Sequence, residues 1–120
     1  MKFSTALFFG MLVVAVVAQA DPRMWGEAGI AVRQGSDIHF DRQIAQDPDG
    51  NTLVVWSEVR TFSRDIFAQL ISPMGEPMWD EPLAVTEEVH RQVDPMAVHS
   101  ADGWIVVWED MRNTEPMCEE

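Results

Sequence analysis

Two acid-x-Arg pairs are the first residues with chemistry in them: Glu58-Val59-Arg60 and Asp110-Met111-Arg112, each just beyond a Val-Val-Trp run. On an extended chain residues i and i+2 share a face, so each carboxylate reaches its guanidinium. Such a corner suits a polar ligand, or an ion pair that ties a strand to its neighbours. The recurrence favours the ion pair, since binding sites are unique while scaffolding repeats. Asp47-Pro48-Asp49-Gly50-Asn51 is a second candidate, for calcium, with Asp47, Asp49 and Asn51 as oxygen ligands at alternate positions. Its sixth position is Thr52 where an EF-hand requires Gly, and the matching Ser100 to Trp104 lacks the carboxylate pair. A hairpin turn explains both copies. The five Trp residues (25, 56, 79, 104 and 108) could stack on sugars. Four of them fall at recurring positions and read as packing anchors; Trp104 has no counterpart and is the best candidate for an exposed aromatic. His39, His90 and His99 lack metal-ligand spacing, although His39 and His90 both precede an Arg-Gln and read as landmarks of a repeat. Ser57, Ser63 and Ser72 sit in no nucleophile motif. The reading therefore names no catalytic residue, no cofactor and no metal beyond the weak calcium candidate.

The elements that must position these residues recur. Asp49 to Arg60 (DGNTLVVWSEVR) returns as Asp102 to Arg112 (DGWIVVWEDMR). Met24-Trp25 returns as Met78-Trp79, Ala31-Val32 as Ala84-Val85, and Arg42-Gln43-Ile44 reads as matching Arg91-Gln92-Val93. The period is about 52 residues. Branched and aromatic residues dominate both copies, and Asp-Gly pairs mark tight turns. Strands are expected near 43–47, 52–59, 65–71 and 78–85, with apolar residues on both faces of the second. Residues 24–33 read as the last strand of a preceding unit, and 92–111 as the first two strands of the next. No window after the first twenty residues holds a helical period. The fold class is all-β: antiparallel four-stranded blades of a β-propeller, one full blade with a partial blade on either side.

The N-terminus reads differently. Lys2, the apolar run Ala6 to Ala18 and the small-x-small Ala18-Gln19-Ala20 form a secretory signal peptide over residues 1–20. The run is too short to span a bilayer, and no later segment is apolar enough. The repeat region covers 21–112, and 113–120 is an irregular tail holding Cys118, the only cysteine, which cannot form an internal disulfide. The formal net charge is −12, and loss of Lys2 with the leader makes it more negative. That surface argues against nucleic acid and anionic membranes as partners.

The string WGEAGIAV, RQIAQDPDGNTLVVWSEVR and DIFAQLISPMGEPMW resembles secreted bacterial repeat proteins of the sialidase-like, type IX-sorted cell-surface kind. The carriers are Trp25, Gly26, Asp49, Gly50, Val55, Trp56, Glu58, Arg60, Asp65, Ile66, Ala68, Gln69, Gly75 and Trp79. The resemblance implies export and a propeller, and no particular reaction. Phe67 stands where the family often has Tyr, and Ser100-x-Asp102-Gly103 departs from the Asp-box turn of sialidases at the Gly. Sialidases use a Tyr nucleophile, and this chain has no Tyr.

The reading expects an exported repeat module with a structural or binding role at the cell surface, its partner an unidentified surface polymer, glycan or protein. It is not an enzyme on this reading. The alternative is a piece of a secreted glycan-acting hydrolase whose catalytic residues lie outside this chain. Fewer than two blades cannot bury their own faces, so the chain reads either as a fragment or as a homo-oligomer that completes its blades by assembly.

Overall fold

The computed structural model describes Trp25 and residues 28–35, 37–60 and 63–113. The expected leader, Cys118 and all but Asn113 of the expected tail lie outside these residues. Six strands form and no helix does among the described residues: β1 (His39–Gln46), β2 (Thr52–Arg60), β3 (Ser63–Ile71), β4 (Leu83–Ala84), β5 (Gln92–Ser100) and β6 (Gly103–Asp110). The first four make an antiparallel sheet in the order β1-β2-β3-β4, and β5 and β6 make an antiparallel pair. The all-β, antiparallel expectation holds; among the described residues no sheet closes on itself.

The β1–β2 turn forms for local reasons. Asp47 Oδ1 accepts the Asn51 backbone N–H at 2.8 Å, Asp47 Oδ2 accepts from Asn51 Nδ2 at 2.7 Å, and Gly50 takes the positive φ of 87° that closes the turn. The β1–β2 and β5–β6 hairpins then share one pairing scheme. His39 opposes Glu58 and Phe40 opposes Ser57; past a bulge, Gln43 opposes Val55, Ile44 opposes Val54 and Ala45 opposes Leu53. Correspondingly, Gln92 opposes Asp110 and Val93 opposes Glu109; past a bulge, Met96 opposes Val107, Ala97 opposes Val106 and Val98 opposes Ile105. Asp41 and Asp94 occupy the bulges with φ of 51° and 50°, the only non-glycine residues at positive φ among those described.

The core lies between these layers. Leu53, Val55 and Ala68 are buried, and Leu70, Trp79, Val85, Ala97, Trp104 and Val106 pack against them. The β5–β6 pair thus covers one face of β2 and β3. Burying aliphatic side chains such as Leu53 and Val55 contributes about 1.5–3 kcal/mol each. On the opposite face Trp56 stacks on Phe67 with ring centroids 6.2 Å apart.

Three expectations need correction. The strand expected over 78–85 pairs only at Leu83–Ala84, with an isolated bridge between Ile71 and Pro77. Pro77 and Pro82 lack the N–H a ladder requires, so the segment bends between them. No strand forms over the described part of 24–33. Gly29 turns the backbone there with φ of 71°. Arg42-Gln43-Ile44 does not correspond to Arg91-Gln92-Val93. The shared pairing scheme puts Gln92 where His39 stands and Ala97 where Ile44 stands. His90 is accordingly not the counterpart of His39.

Candidate functional site

The acid-x-Arg corner at the end of β2 is the most organised polar site. Glu58 is fully buried, because its strand lies between β1 and β3. Arg33 Nε lies 3.2 Å from Glu58 Oε2, and Arg33 Nη2 lies 3.1 Å from Oε1. The indole N–H of Trp56 donates to Oε2 at 3.1 Å, and His39 Nε2 stands 3.3 Å from that oxygen. Arg60, half exposed, brings its Nε to 3.5 Å from Oε1 and lays its guanidinium 4.3 Å from the centre of the Phe67 ring. Burial pushes the Glu58 carboxyl up. The Arg33 and Trp56 hydrogen bonds and the Arg33 and His39 charges outweigh it, and leave the group below its ordinary value of 4.5. The same bonds to Glu58 raise Arg33. A carboxylate saturated in this way anchors the segment before β1 onto the sheet.

The sequence pairs Glu58 with Arg60, and the two do meet, yet the closer partner is Arg33. Nothing in the i,i+2 spacing points 25 residues upstream. A solitary Arg after the apolar Ile30-Ala31-Val32 is the one signal available.

The second corner differs. Arg112 Nε donates to Asp110 Oδ2 at 2.8 Å, Nη2 bonds the same oxygen, and the Arg112 backbone N–H donates to Oδ1 at 3.0 Å. These bonds from Arg112 hold the Asp110 carboxyl far below the usual carboxylate range. The pair closes on itself at the surface.

Trp104 is half-buried against the core, with its ring edge-on to His99 at 5.1 Å, so it is not an open aromatic platform. Trp108, expected as an anchor, is 38% exposed, whereas Trp56 is 3% exposed. Trp56 has Phe67 on the adjacent β3; among the described residues no strand pairs with the far edge of β6 to supply such a neighbour. Asp47 has both oxygens engaged by Asn51, and the Asn51 side-chain bond, with the backbone N–H bonds of Asn51 and Asp49, draws its carboxyl down. Asp49 is exposed. Among the described residues no three His, Cys, Asp or Glu side chains converge as a metal site requires.

Two other polar clusters fix the strands. Ser57 Oγ donates to Asp41 Oδ2 at 2.7 Å, and Arg64 Nη1 stands 3.4 Å from the same oxygen. Asp65 accepts the Thr86 hydroxyl at 3.2 Å and the Glu88 N–H at 3.0 Å, while Thr86 Oγ1 accepts the Ile66 N–H at 2.9 Å. Beside the Glu58 cluster a groove of about 340 Å³ runs between residues 30–33 and His39, Arg42, Val54 and Trp56.

No family model, curated protein or solved structure matches this chain. No helix among the described residues is long and apolar enough to cross a membrane.

Proposed function

We propose that this chain is an exported repeat module, built of stacked antiparallel blades of the propeller kind, with a structural or binding role at the cell surface. The observation that carries the reading is the shared pairing scheme of the two hairpins, down to the Asp bulges at 41 and 94. A unit that rebuilds the same backbone and lays the second copy across the first is organised for stacking. The Glu58 cluster supports the same role. Arg33 and Trp56 are tied to its carboxylate, and the sequence contains no nucleophile motif. The leader-like N-terminus and the acidic composition support export.

The test is to express the full chain with its own N-terminus in an exporting bacterial host and incubate the product with cell-surface polysaccharides. The reading predicts an extracellular protein beginning at Asp21 that releases no reducing ends. Retention inside the cell with Met1 intact, or reducing ends released in proportion to protein, overturns it.

A further inference from the structure

The two ends of the stack carry apolar faces of matching kind. Inside the chain, the layer that presents Ala97 and Val106 seats on the face that presents Leu53 and Val55. By the shared pairing scheme, Leu53 and Val55 correspond to Ile105 and Val107. Those two residues are 51% and 55% exposed, and Val98 and Met96 across from them are also open. By the same scheme Ala97 and Val106 correspond to Ile44 and Val54. Ile44 is 70% exposed, and Val54 lines the open groove. One end therefore has the receiving face without a guest, and the other has the seating face only partly covered.

Charge agrees with this pairing. At the bulge end of β5–β6, Asp94 and Glu109 are exposed. At the bulge end of β1–β2, Arg33 is already paired with Glu58 and Asp37, and the exposed Arg42 at the groove is the cation left to face Asp94 and Glu109. Stacking in the internal sense brings these ends together, acid to base.

We infer that copies of this chain associate head to tail, the Ile44–Val54 face of one seating on the Ile105–Val107 face of the next. The inference rests on the stacked-blade reading above. The internal stack supplies the geometry, and the two faces are different patches, so the interface is heterologous. Such contacts build rings where the rotation closes and open filaments where it does not.

The experiment is the solution mass of the exported chain by light scattering across a concentration series. The wild type assembles beyond two chains as concentration rises. Ile44→Lys and Val107→Lys each spoil one face of an exposed patch, and each alone is monomeric. Their equimolar mixture retains one intact interface and forms dimers but nothing larger. Arg42→Glu, with no apolar contact changed, weakens assembly by about tenfold or more at low salt. A wild type monomeric at every concentration overturns the inference. So does an Ile44→Lys chain that dimerises unaided, since that outcome means two β5–β6 faces pair with each other. An exported, folded, monomeric chain leaves the module reading standing; release of reducing ends overturns that reading and leaves the mass result intact.

Discussion

Arg33 grips the buried Glu58 carboxylate with two nitrogens, Nε at 3.2 Å from Oε2 and Nη2 at 3.1 Å from Oε1. Folding lowers the Glu58 pKa below its ordinary 4.5, so the stabilisation it contributes is complete above that value. It is lost as pH falls through the lower folded-state value. Glu58→Gln removes the buried member of the pair and leaves Arg33, whose side chain is 24% exposed, without the Glu58 carboxylate, which costs about 1–3 kcal/mol near neutral pH. Chemical denaturation of both proteins from pH 7 down to pH 3 is expected to show that difference shrinking with acid. A difference constant across the range would exclude the ion pair as its source.

Trp56 is the packing anchor of the first sheet, stacked on Phe67 and hydrogen-bonded to Glu58. Trp56→Ala is expected to destabilise the protein by about 3–5 kcal/mol. Trp108→Ala, at the corresponding place in β6 but 38% exposed, is expected to lose well under half of that. Parallel thermal melts of the two variants decide it, and equal losses would mean that Trp108 is as well packed as Trp56.

Thr86 clamps the loop after β4 onto β3 by donating to Asp65 and accepting from the Ile66 N–H. Thr86→Val keeps the volume and leaves both groups without that partner, at about 1–3 kcal/mol. Hydrogen exchange is expected to quicken at the Ile66 amide in this variant. An unchanged rate there would remove the clamp from the account.

Gly75 closes the turn after β3 at a φ of 84°, and a Cβ on it would stand 2.8 Å from Trp25 Cδ1. Trp25 also donates its indole N–H to the Pro73 carbonyl at 3.3 Å. Gly75→Ala is expected to cost about 1–3 kcal/mol in backbone strain and to displace the indole. Denaturation together with the fluorescence of Trp25, read against a Trp25→Phe control, measures both effects.

The strands were legible where side chains alone decide them. Leu53 to Trp56 is apolar on both faces: Leu53 and Val55 meet the β5–β6 layer, Trp56 on the other face stacks on Phe67, and Asp49-Gly50 marks the turn. What could not be read depended on partners distant in sequence. Glu58 announced a nearby Arg, and spacing offered Arg60, while folding delivered Arg33. The Arg-Gln match misled because two short identical strings carry no register; the bulges at Asp41 and Asp94 set it. Trp104 looked unpartnered beside Asn51, yet its position faces the other sheet, which the sequence of one hairpin does not disclose.

The central claim is that the two hairpins are equivalent layers, one covering the first sheet and leaving its own outer face open. Val55 and Val107 hold the same place in the two layers, 0% and 55% exposed. The decisive measurement is the denaturation midpoint of Val55→Lys and Val107→Lys at a concentration low enough to keep the chain dispersed. The account predicts that Val55→Lys, which places an unpaired charge in the core, fails to fold or loses several kcal/mol. Val107→Lys is predicted to stay within about 0.5 kcal/mol of wild type. Equal losses at the two positions, or a tolerant Val55, would contradict it.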